Sequence, residues 1–106
     1  MVGKYKVITL CGSTKFRDNF LEVQRILTMQ GYIVLSVGVF GHYESPQLQE
    51  QIEAIKPMLD DMHKRKIDMA DAIYVVNVGG YIGESTKGEI EYAKQTGKEI
   101  FYLENH

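Results

Sequence analysis

The stretch AIYVVNV at residues 72–78, running on through GGYIGESTKGEIEYAKQTGK at 79–98 into EIFYL at 99–103, decides the fold. Its first seven residues are apolar almost throughout and lie between Asp71 and a glycine pair. That pattern predicts a short strand buried on both faces, as in a parallel sheet. Gly79, Gly80 and Gly83 make a turn, and the spacing beyond predicts a helix over about 86–95 that ends near Gly97 before a last strand. Strand, glycine-rich turn, helix and strand form one parallel crossover unit.

The same order extends upstream. YKVITLC at 5–11 is a β-branched apolar run ended by Gly12, and it reads as the central strand. Ser13 or Thr14 can cap the next helix, whose apolar residues Phe16, Phe20, Leu21, Val23, Ile26, Leu27 and Met29 recur mostly at helical spacing up to Gly31. YIVLSV at 32–37 reads as another strand, followed by the loop GVFGHYES at 38–45. Ser45 before Pro46 predicts an N-cap with proline at the first helical position. The helical pattern then continues from Gln47 towards Ala70, and Pro57 should kink or divide it.

Strands alternating with helices through short connections imply right-handed crossovers. The expected class is a small doubly wound α/β fold, Rossmann-like or flavodoxin-like, with a parallel sheet of about four strands and helices on both faces. In such sheets a ligand sits past the carboxyl ends of the strands, where the strand order reverses. The loops at 12–15, 38–45 and 79–86 should therefore meet around it.

With 106 residues the chain fits one domain spanning 1–106, and 44% hydrophobic with 25% charged residues are ordinary globular proportions. Twelve Lys and Arg against 14 Asp and Glu give a net charge of -2, so no basic excess argues for binding a nucleic-acid polymer. A small-molecule ligand is expected instead. The single cysteine, Cys11, excludes an intramolecular disulfide and a multi-cysteine zinc site and suits a reducing cytosol. No apolar run approaches about 20 residues, and the N-terminus lacks the pattern of a signal peptide. A cytoplasmic protein away from membranes is the expectation.

Four features can carry chemistry. In CGSTKF, at 11–16, Gly12 allows close backbone approach while Ser13 and Thr14 offer hydroxyls at a helix start, although a serine-capped turn explains the same residues. In the 79–98 stretch the glycines, including Gly83, leave room for a ligand, and Ser85 and Thr86 lead into the helix. Thr86 to Glu89 also spells T-x-x-E, the pattern of a capping box, so Glu89 is either a catalyst or a cap. The stretch LDDMHKRKIDMAD at 59–71 holds His63 near Asp60, Asp61 and Asp68, suited to acid–base work but equally to a solvated helix with pairs such as Asp60 with Lys64 and Asp61 with Arg65. An Asp60 and His63 metal pair lacks matching ligands elsewhere, so neither metal nor cofactor is expected. His42 and Tyr43 sit in the second loop, where an aromatic can stack on a base and a histidine can donate to one.

The motifs ITLCGSTKF, ADAIYVVNV and GESTKGEIEYAKQTGKEIFYL together resemble the nucleoside 2-deoxyribosyltransferase superfamily, which includes the deoxynucleoside monophosphate N-glycosidases. The likeness covers most of the chain. It implies cleavage of the N-glycosidic bond of a nucleoside or nucleotide, by hydrolysis or transfer, through a glutamate that attacks the anomeric carbon. By position in GEIEYA that nucleophile is Glu89, and Gly12 with Ser13 matches the first-loop sugar and phosphate contacts. Ser85 or Thr86 would lie near phosphate or sugar hydroxyls. Where the family carries an aspartate eight residues before the Asp at the third strand, this chain has His63, the candidate proton donor, and the family's first-strand tyrosine falls at Thr9. The resemblance also implies a homodimer or higher homo-oligomer. A rival reading keeps the phosphate turn in a non-catalytic nucleotide-binding module, which the two departures permit.

Overall fold

The structure, a computed structural model, describes residues 1–105. Four strands, β1 (Val7–Cys11), β2 (Ile33–Leu35), β3 (Ala72–Val75) and β4 (Glu99–Tyr102), form one sheet in the order β2-β1-β3-β4. All three pairings are parallel, with Ile8 opposite both Val34 and Ala72, and Ala72 opposite Glu99. The strands are shorter than the apolar runs that announce them, because pairing stops where the chain turns into the loops above the sheet. Every residue of β1 is buried, whereas the edge strands β2 and β4 are only partly covered.

Helices α1 (Arg17–Met29), α2 (Pro46–Ala54), α3 (Lys56–Met69) and α4 (Glu84–Gln95) complete the α/β alternation. Strand parity divides the core in two. Ile8 and Leu10 of β1 pack with Phe20, Val23 and Leu27 of α1 on one face. Cys11 packs with Ile73 and Val75 of β3, Ile67 of α3 and Ile90 and Ala93 of α4 on the other. This is the small doubly wound fold with helices on both sheet faces that the alternation implies. Among the described residues no helix is long and apolar enough to cross a membrane.

Local sequence explains most helix ends. Ser45 caps α2 by accepting from the Leu48 N–H at 3.2 Å, with Pro46 in the first turn. The helical pattern from 47 to 70 is divided as Pro57 requires, with Ile55 between α2 and α3 at φ -107° and ψ 14°. Helix α1 closes with Gly31 at φ +95°, its N–H donating to the Thr28 carbonyl and that of Tyr32 to Leu27, a Schellman closure. Helix α4 ends the same way at Gly97.

Two helix starts differ from the sequence expectation. Ser13 caps a 3₁₀ turn at Thr14–Phe16 rather than α1 itself, which begins at Arg17. Helix α4 begins two residues earlier than expected, at Glu84, with Gly83 as its N-cap and no side-chain cap. Thr86 is thus the third helical residue and Glu89 the sixth, in the second turn rather than the first. The capping-box reading of Thr86 and Glu89 is therefore overturned.

Candidate active site

A cleft of about 540 Å³ opens at the carboxyl end of the sheet, where the order reverses between β1 and β3. Gly12, Ser13 and Thr14 line it from the first loop and His42 from the second. Gly83, Ser85 and Thr86 line it from the third loop and the start of α4. His63 of α3 and Glu89 of α4 complete the set, so the candidate nucleophile, the candidate acid and the loop residues at 12–14, 42, 83, 85 and 86 border one cavity, whereas Tyr43 does not line it.

The loops are tied together by their side chains. Thr14 Oγ1 lies 3.0 Å from His42 Nδ1, and the Tyr43 hydroxyl donates to the Lys15 carbonyl at 2.8 Å, joining the first loop to the second. Lys15 Nζ stands 3.7 Å from the centre of the Tyr81 ring, joining the first loop to the third. Gly12, at φ +149°, passes so close to the neighbouring chain that a Cβ there would lie 3.0 Å from the Val76 carbonyl oxygen. His42 is thus held at the cleft by Thr14, and Ser85 is exposed while Thr86 is buried.

At the base of the cleft three side chains from three elements converge. Cys11 ends β1 on the face covered by α3 and α4, so its thiol points towards both helices. His63 Nε2 lies 3.5 Å from Cys11 Sγ and 3.8 Å from Glu89 Oε1. Cys11 is fully buried, and the His63 and Glu89 side chains are only 9% and 17% exposed.

Burial governs their protonation. It raises Glu89 from 4.5 to about 7, an effect opposed by a hydrogen bond with Cys11 and reinforced by the negative charge of Asp60. It lowers His63 from 6.5 to about 4, assisted by the positive charge of Lys66. Cys11 is pushed well up by burial and then by Glu89, so it stays a thiol. At neutral pH the His63 and Glu89 contact is therefore a neutral ring beside a partly ionised carboxyl, not an ion pair.

Of the acidic residues near His63, Asp60 lines the cleft and pairs with Lys56 at 3.0 Å. Asp61 contacts Arg65 at 3.9 Å as the spacing suggested, and Asp68 pairs with Arg65 at 3.0 Å and accepts from the Tyr92 hydroxyl. Neither Asp61 nor Asp68 lines the cleft. Sequence reasoning missed Cys11 as a member of the site. Strand parity puts Cys11 on the same face as Thr9, but only the structure shows that this face meets α3, where Thr9 Oγ1 donates to the Lys66 carbonyl at 2.8 Å.

The chain matches no protein-family model and no curated protein sequence.

Proposed function

We propose that the protein cleaves the N-glycosidic bond of a nucleoside or nucleotide, with Glu89 as nucleophile. The observation that carries this reading is a mostly buried carboxyl, 17% exposed and free of any capping role, at the base of a cleft lined by two helix-start loops. A Glu89 carboxylate oxygen attacks the anomeric carbon, the bond from that carbon to the base nitrogen breaks, and its electron pair leaves with the base, which takes up a proton. Water hydrolyses the glycosyl ester and frees Glu89, or a second base accepts the sugar. Gly12, Ser13 and Thr14 with Gly83, Ser85 and Thr86 hold sugar and phosphate oxygens, and His42 faces the base. His63 orients the carboxyl as a neutral ring. Its service as acid to the leaving base requires protonation in the complex, which a nucleotide phosphate in the cleft would favour by its charge.

The reading includes a homodimer or higher oligomer, supported by exposed Ile55, Met58 and Met62 on and beside the helix whose Lys56 and Asp60 line the cleft. The test is incubation with deoxynucleosides, ribonucleosides and their monophosphates, followed by chromatography for free base. Release from at least one substrate is expected, and unchanged substrate throughout from folded protein rejects the reading.

One observation favours a second reading, a nucleotide-binding module without turnover. With His63 held neutral, the free site has no ready acid beside Glu89. A rise in melting temperature with nucleotide, but no base release, would select it.

A further inference from the structure

Cys11 Sγ, His63 Nε2 and a Glu89 carboxylate oxygen lie within 4.8 Å of one another, although 52 and 26 residues separate successive members in the chain. A tetrahedral zinc ion with ordinary bond lengths holds sulfur, nitrogen and oxygen ligands about 3.4–3.6 Å apart. The sulfur-to-nitrogen separation here is already 3.5 Å and the nitrogen-to-oxygen separation 3.8 Å. The three residues come from β1, α3 and α4, elements fixed by packing around one core, so the arrangement needs no loop to order. His63 and Glu89 border the cleft and Cys11 lies beneath them, which gives an ion an entry path and an open side.

We propose that Cys11, His63 and Glu89 form a binding site for a borderline divalent cation of the zinc and cobalt class. A thiolate and an imidazole select such ions over magnesium and calcium, which require oxygen ligands. One thiolate and one carboxylate balance the two positive charges, and the imidazole joins them as a neutral donor, so a neutral unit occupies the dry base of the cleft. The thiol proton leaves to solvent as the ion enters. The fourth position faces the cleft and takes water or a ligand atom. The assignment is independent of the glycosidic reading and competes with it for one carboxylate: a cation held by Glu89 removes the nucleophile.

The experiment is titration of chelator-treated, reduced protein with Co²⁺ under anaerobic conditions, followed by absorption. One equivalent should produce a thiolate-to-cobalt charge-transfer band with the visible bands of a four-coordinate ion, and Zn²⁺ should displace both. Cys11→Ser should abolish the charge-transfer band. His63→Ala and Glu89→Gln should each weaken binding by more than the ~10–100-fold that loss of an outer partner costs. Asp61→Asn, outside the cleft, should bind as the unsubstituted protein does. Absence of the band in the unsubstituted protein overturns the site, as does a band that survives Cys11→Ser. Glu89→Gln, nearer the cleft surface, keeps the ligand test open if Cys11→Ser fails to fold, and unchanged Co²⁺ affinity in that variant also overturns the proposal. None of these outcomes requires base release, so failure of the glycosidic reading leaves the test intact.

Discussion

His63 Nε2 stands 3.8 Å from Glu89 Oε1, and burial moves the two groups past each other, the histidine down to about 4 and the glutamate up to about 7. The fold therefore favours the pair in which both partners are neutral. Glu89 binds its proton more tightly in the folded than in the unfolded chain. Its favourable contribution is full below about 4.5 and is lost as pH rises through about 7. His63 has the opposite sign: its contribution is full above 6.5 and is lost as pH falls through about 4. At pH 8 the ionised Glu89 costs the fold about 3 kcal/mol by this linkage. Metal-free Glu89→Gln should consequently match the unsubstituted protein near pH 4.5 and exceed it in stability above pH 7. Urea unfolding across that range measures the difference, and parallel pH profiles for the two proteins would refute it.

If Glu89 is the nucleophile, only its ionised form attacks, so kcat/KM should rise with pH and level off above about 7. Two substitutions should move that limb in opposite directions. Asp60→Asn removes a negative charge that raises the Glu89 pKa, so the limb shifts to lower pH. Cys11→Ala removes a hydrogen bond that lowers it, so the limb shifts to higher pH. Glu89→Gln should reduce base release by ~10³-fold or more at every pH. Rate profiles of the metal-free proteins check all three, and shifts of the same sign for Asp60→Asn and Cys11→Ala would exclude this account of Glu89.

The fold was legible because the apolar runs at 7–11 and 72–75 sit at the sheet centre, where burial on both faces leaves no alternation to misread. Helix breaks were legible where one residue dictates the backbone, as at Pro57 and Gly31. The start of α4 was not, because Gly83 caps it with backbone alone while Ser85 and Thr86 have the chemistry of a cap without its position. At the cleft, loop residues could be nominated because their place follows from topology. The grouping of Cys11 with His63 and Glu89 depends on which way one strand residue points between two helices, which an isolated cysteine in a strand does not announce.

That difference at α4 can be measured. Ser45 accepts from the Leu48 N–H at the start of α2, whereas Ser85 lies inside α4 and is exposed. Ser45→Ala should lower stability by about 1 kcal/mol as a lost cap. Ser85→Ala should leave it within about 0.5 kcal/mol, since alanine suits an exposed helix position. Urea melts of both variants decide the point, and a cap-sized loss at Ser85 would place the start of α4 later than Glu84.

Gly12 joins the central strand to the cleft, and its backbone leaves no room for a side chain. At φ +149° an L-residue is strained, and an added Cβ would meet the Val76 carbonyl oxygen at 3.0 Å and the Phe20 ring at 3.3 Å. The carbonyl belongs to the chain just beyond β3, paired to β1 through the Val76 N–H to Cys11 carbonyl bond of 2.8 Å, so it cannot retreat alone. Phe20 is itself fully buried between α1 and the sheet. Relief must therefore come from movement of the first loop, carrying Ser13 and Thr14 away from the cleft and stretching the Thr14 to His42 contact. Gly12→Ala should cost about 1–3 kcal/mol in urea unfolding. It should also weaken nucleotide binding in a thermal-shift titration by more than that stability loss alone explains. Full stability and unaltered binding in this variant would show that the first loop is neither tight against Val76 nor part of the ligand site.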